Sequence, residues 1–123
     1  MVARNPIFAC ALSAFVYLSV LNVYAKPPTH GIASWYGAEC AGRRTASGEI
    51  FSPEGFTCAS WHYPFQSILR VSTIRGKSVV VRVNDRGPNR RLHRIIDLSE
   101  ASFAALADTK RGLIPVTIEQ IWP

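Results

Sequence analysis

Hydrophobic positions fall into two regimes along the chain. Residues 7–21 (IFACALSAFVYLSVL) form one uncharged, proline-free run. After it, apolar residues come in short segments with a period close to two, the pattern of half-buried strands. Gly31–Tyr36 (GIASWY), ended by Gly37, predicts a first strand. Arg43–Phe51, punctuated by Gly42 and Gly48, predicts strand–loop–strand, and Ser52-Pro53-Glu54-Gly55 a turn. Thr57–Phe65 is ambiguous, with room for one helical turn before Pro64. Ile68–Ile74 alternates weakly. The β-branched run Ser78–Val83 (SVVVRV) predicts a buried strand, joined to it as a hairpin through Arg75-Gly76-Lys77. Asn84-Asp85-Arg86-Gly87-Pro88 has loop composition. Arg94–Leu98 predicts another strand. Ser99 then caps a helix with Glu100 in its first turn and Phe103, Leu106 and Ala107 on one face. Gly112 marks its exit, and Ile114, Val116 and Ile118 alternate with polar or exposed positions in a last strand. Five to seven short strands with one short helix predict a mainly β fold, a small closed β-barrel with few exposed edges. Spacing alone does not separate an OB-fold from other small barrels.

The long apolar run is shorter than the roughly 20 residues a spanning helix needs. Arg4 precedes it and Val23-Tyr24-Ala25 follows, so residues 1–25 read as a secretory signal peptide cleaved after Ala25, against the alternative of an uncleaved anchor. Cys10 lies inside the run and makes a poor lipid-acceptor site, because most of the apolar stretch follows it. Residues 26–30 form an extended, proline-restrained lead, and 31–121 one domain. With 48% hydrophobic and 18% charged residues the chain is too apolar for a disordered tail. It carries 14 basic against 8 acidic residues. For an exported protein, periplasmic or extracellular, that charge points to anionic cell-wall polymer or a membrane surface rather than nucleic acid. Any membrane contact runs through the transient signal peptide, and a monomer is expected. Cys40 and Cys58, both beyond the signal, are expected to pair in an oxidising compartment. His30, His62 and His93 are too widely spaced for a metal site, so neither a metal nor a cofactor is expected.

Glycosidic-bond chemistry needs a carboxyl to protonate the leaving oxygen, and often a second one. Asp85 directly follows a rigid strand and is flanked by Asn84, Arg86 and Gly87, which makes it the first candidate; the alternative is an aspartate that caps its own turn. Glu49, after Gly48, is the second. Asp97, inside RIIDLS, reads as structural, paired with an arginine or capping backbone. Trp35, Tyr36 and Trp61 fit either sugar stacking or core filling. Arg86, Arg90, Arg91 and Arg94 form either a solvated loop or a carboxylate-binding rim.

These residues occur in a recognisable order. Gly31–Gly37 (GIASWYG), Gly42-Arg43 with Thr45–Glu49 (TASGE), Thr57-Cys58-Ala59 with Pro64-Phe65, Val79–Pro88 (VVVRVNDRGP) and Arg94–Ser99 (RIIDLS) together resemble the rare lipoprotein A (RlpA)-like family of septal lytic transglycosylases. The resemblance spans about residues 31–121. It implies a six-stranded double-psi β-barrel with one or two short helices. It also implies endolytic cleavage of peptidoglycan glycan strands between N-acetylmuramic acid and N-acetylglucosamine, on strands stripped of stem peptides, leaving 1,6-anhydro ends. Asp85 and Glu49 match the family's essential carboxylates. Ser60 stands where the family has a histidine, and His62 lies two residues on; lowered activity is therefore expected. Ser60, His62, Trp35, Tyr36, Arg86 and Asn84 are the expected substrate-binding set. The rival readings are a non-catalytic, expansin-like wall-binding protein and, third, a secreted effector or inhibitor on the same scaffold.

Overall fold

The computed structural model describes residues 27–123; the expected signal peptide and Cys10 lie outside the described residues. Six strands dominate: β1 (Thr29–Tyr36), β2 (Thr57–Ala59), β3 (Ile68–Ser72), β4 (Ser78–Asp85), β5 (Ile96–Ser99) and β6 (Ile114–Trp122). They close into a barrel in the order β1-β5-β2-β4-β3-β6. The β1–β5 and β2–β4 pairs are parallel and the other four antiparallel. The fold is the mainly β, six-stranded double-psi barrel that the family resemblance implied.

Alternation builds the core. Val79, Val81 and Val83 of β4 meet Leu69 and Val71 of β3, Ile114, Val116 and Ile118 of β6, and Ile96 and Leu98 of β5. The SVVVRV run is thus buried on one face only: Val80 is 47% exposed, because the strand lies in a single-layered barrel wall with solvent outside. One short helix, α1 (Glu100–Ala104), follows β5 and places Phe103, fully buried, in the core. Ser99 caps it as expected, its Oγ accepting from the Ser102 N–H at 3.3 Å.

Several boundaries differ from the sequence reading. β1 begins at Thr29, since Thr29 and His30 pair with Ile118 and Thr117 of β6 and are no loose lead. Residues 43–51 make a single bridge, Arg44 with Ile50, around a loop. Thr57–Ala59 is extended, wedged between β4 and β5, where partners on both sides outweigh a helical turn. β4 runs on through Asn84 and Asp85, whose composition pointed to a loop. The expected Cys40–Cys58 disulfide is corrected: both are free thiols. Cys58 belongs to the core cluster and is 0% exposed, while Cys40 sits half-buried on a 3-10 turn over Ala38–Cys40, so a bridge would have to draw the Cys58 sulfur out of the barrel wall.

Candidate active site

An irregularity in strand register builds the site. In the β2–β4 pair, Cys58 faces Val83, but the next residue, Ala59, faces Asp85, so Asn84 is passed over. A one-residue shift turns the following side chain to the other face of a sheet. Asp85 consequently leaves the inward series Val79-Val81-Val83 and joins the outer face. Ala59 also pairs with Asp97 of β5, and Asp97 with Ser34 of β1. Ser34, Asp97, Ala59 and Asp85 therefore form one row across four neighbouring strands. Loop 41–51 covers the row. The resulting cleft, about 270 Å³, is lined by Tyr36, Cys40, Arg43, Arg44, Thr45, Phe51, Ala59, Asp85, Arg86 and Asp97. A larger hollow of about 380 Å³ lies by the β3–β4 turn; its lone acid, Asp108, is engaged in capping the Lys110 N–H, so size does not locate the chemistry.

Asp85 is held firmly. Its Oδ1 accepts the N–H groups of Ala46 (2.9 Å) and Arg86 (2.8 Å). The TASGE loop is fastened to the same strand end, since the Ser47 N–H donates to the Asn84 carbonyl at 3.2 Å. Glu49 anchors this loop from below. Its carboxylate accepts from Arg82 Nη1 at 2.6 and 2.9 Å, from Asn84 Nδ2 at 3.1 Å and from Gln66 Nε2 at 3.3 Å. Those donors, the Arg82 guanidinium first, pull its pKa down to about 2. Glu49 is therefore an ionised brace rather than a proton donor near neutral pH. Asn84 is buried, and its Oδ1 has no hydrogen-bond partner among the described residues.

Asp97, read from sequence as structural, lines the cleft with Asp85. Burial drives its pKa up to about 6, against the opposing pull of the Ser34 hydroxyl, which donates to Oδ1 at 3.1 Å, and of Arg94. Tyr36 stacks on Phe51 with centroids 4.4 Å apart, and its buried hydroxyl has no hydrogen-bond partner among the described residues. Burial and then the two nearby aspartates raise the Tyr36 pKa, so the hydroxyl stays neutral.

Of the remaining expected residues, Arg86 lines the cleft and the others are placed differently. Trp35 packs against Phe103 and its Nε1 donates to the Thr109 carbonyl at 3.0 Å, away from the cleft. Arg86 lies over the Phe65 ring (3.9 Å) and donates from Nη1 to the carbonyls of Ser60 and Tyr63, both at 2.9 Å. Ser60 is buried, its Oγ accepting the His62 N–H at 3.1 Å, and it does not line the cleft. His62 is exposed. Trp61 is covered by Arg90 at 4.4 Å and donates to the Pro88 carbonyl at 2.6 Å. Sequence reasoning missed Arg43 and Arg44 as cleft residues; their place beside TASGE was the available signal. Among the described residues, no cluster of three or more His, Cys, Asp or Glu side chains is arranged to hold a metal ion.

The barrel and this site define a known class. The lytic transglycolase family matches residues 28–118, and the chain belongs to it. The endolytic peptidoglycan transglycosylase RlpA of Neisseria meningitidis serogroup A is 48% identical over 103 residues, covering 83% of this chain and 43% of that protein. A probable endolytic peptidoglycan transglycosylase RlpA of Nostoc is 50% identical over 92 residues, 72% of this chain and 24% of that one. This chain thus spans less than half the length of either relative. A mutant Clavibacter michiganensis expansin crystallised with cellohexaose has the same fold: TM-score 0.61 at 23% identity, over 77% of this chain and 50% of the expansin.

Proposed function

We propose that this chain is an exported endolytic lytic transglycosylase that acts on peptidoglycan glycan strands, favouring strands without stem peptides and leaving 1,6-anhydro-N-acetylmuramic acid ends. One observation carries the reading: the register shift at Asn84 presents Asp85 on the floor of a cleft, fixed through Oδ1 by two backbone N–H groups. A carboxyl of this cleft protonates the glycosidic oxygen. The sugar's own 6-hydroxyl then attacks C1 and passes its proton to a carboxylate, so no water is consumed. Glu49 holds the loop that holds Asp85 and acts as a positioning residue. The cleft arginines Arg43 and Arg44 suit the lactyl carboxylates that stripped strands expose. The apolar run before Lys26 supports export.

The test is mass spectrometry of denuded glycan strands incubated with the protein. Anhydro ends are expected from the parent, with Asp85→Asn lowering turnover by about 10²–10⁴-fold. Full turnover by Asp85→Asn would dismiss the assignment. The second reading, an expansin-like glycan binder, draws on Ser60, whose hydroxyl is occupied within its own loop and supplies no imidazole chemistry. Glycan binding without any anhydro ends would establish that reading instead.

A further inference from the structure

We propose that Asp97 is the proton donor of this cleft and that Asp85 serves as the base, a division of labour that rests on the lytic reading above. Ala59 is the common partner of Asp85 on β4 and Asp97 on β5. Neighbouring strands lie about 4.8 Å apart, so the two Cα atoms sit about 10 Å apart across β2. The residue between them is an alanine, whose methyl fills almost none of the intervening space. Both carboxyls line the same hollow. A glycosidic linkage lying over Ala59 has one carboxyl on either side.

The surroundings differ in a way that suits two roles. Asp85 Oδ1 is taken by two N–H donors, the setting of an acceptor, and no described donor reaches Oδ2. Asp97 meets one weak donor, the Ser34 hydroxyl. The charged groups that bear on Asp97 are Arg94, which favours its ionised form, and Asp85 and Glu39, which oppose it. The buried Tyr36 hydroxyl lies near both carboxyls. Desolvation and carboxylate neighbours together keep a proton on Asp97 into the mildly acidic range.

The Asp97 carboxyl gives its proton to the glycosidic oxygen, the C1–O bond breaks, and its electron pair stays on that oxygen. The 6-hydroxyl oxygen of the same sugar bonds to C1, and its proton passes to Asp85 Oδ2. Solvent exchange then returns Asp85 to carboxylate and Asp97 to acid.

Asp97→Asn preserves shape and can still accept from Ser34. On denuded glycan strands it is expected to lower kcat by about 10²–10⁴-fold with glycan affinity unchanged. The parent should lose activity as pH rises through about 6, and Asp97→Glu should shift that alkaline limb. An aryl glycoside of N-acetylmuramic acid, whose leaving group needs no protonation, should restore turnover to Asp97→Asn but not to Asp85→Asn. An active parent with undiminished Asp97→Asn turnover and an unchanged limb would overturn this assignment alone, leaving Asp85 as both acid and base. A parent that makes no anhydro ends would overturn the lytic reading and this assignment with it.

Discussion

Glu49 and Asp97 are carboxyls on either side of Asp85, and their surroundings drive them in opposite directions. Glu49 is lowered from 4.5 to about 2 by Arg82, Asn84 and Gln66. The stability it contributes is complete above the unfolded value and is lost as pH falls from 4.5 toward 2. Asp97 is raised from 3.8 to about 6, mainly by burial. Between those values the folded chain keeps a proton that the unfolded chain has released, so stability falls as pH rises through that window and stays low above it. These two groups together favour the fold most near pH 4–5. Asp97→Asn is expected to remove the alkaline fall, worth about 3 kcal/mol at pH 7, and to raise Tm there by several degrees. Glu49→Gln should instead lower Tm at neutral pH and flatten the acid limb. Thermal unfolding of the three proteins at pH 3, 4.5 and 7 checks both signs; a lower Tm for Asp97→Asn at pH 7 would contradict the burial argument.

At the scale of elements, β2 is the piece on which the site depends. Three residues long, it touches β4 on one side and β5 on the other, and its last residue is the floor of the cleft. Ala59→Val would retain the strand, since β-branched residues suit extended backbone. Its extra methyls would stand between the two aspartates and displace a bound linkage. We expect kcat/KM to fall by about 10²-fold, the cost of a displacement near 1 Å, with far-ultraviolet circular dichroism unchanged. Normal turnover by Ala59→Val would show that substrate does not cross the row. This element was the least legible in the sequence. TCAS carries no period, and only the pairing on both sides makes it a strand. The alternating runs at Ile68–Ser72 and Ile114–Ile118, by contrast, were readable, because each has a wet and a dry face. The carboxyl at position 85 was legible from its place after a β-branched strand. Its neighbour at 97 was not, because RIIDLS looks like a buried strand, and only the register with Ala59 shows that Asp97 turns outward into a cleft. Trp35 misled in the opposite way. Its type suits carbohydrate, but its indole N–H is engaged by the Thr109 carbonyl, away from the cleft.

Over the whole molecule, the excess of 14 basic over 8 acidic residues has to be weighed against where free cations stand. Arg82 is paired with Glu49 and Arg70 with Glu119. Arg86 and Arg90 lie over aromatic rings. Arg43 and Arg44 line the cleft, with Arg44 also donating to the Gly48 carbonyl at 2.9 Å. On the proposed reading, this long-range field attracts a polyanion, while Arg43 and Arg44, which with Arg86 line the cleft, set where its charges come to rest. A strand of stripped glycan bears one lactyl carboxylate on each muramic acid, so its capture should depend on ionic strength. Raising salt from about 0.05 to about 0.5 M should raise KM for such strands by about fivefold through screening, with kcat nearly constant, because bond breaking occurs within the covered row. Arg43→Gln should raise KM at low salt and make it less sensitive to added salt. Glycan whose lactyl carboxyls have been converted to amides should show almost no salt effect with either protein. An equal salt effect on the amidated strands would mean that the cations do not read the lactyl group, and that shape alone selects the strand.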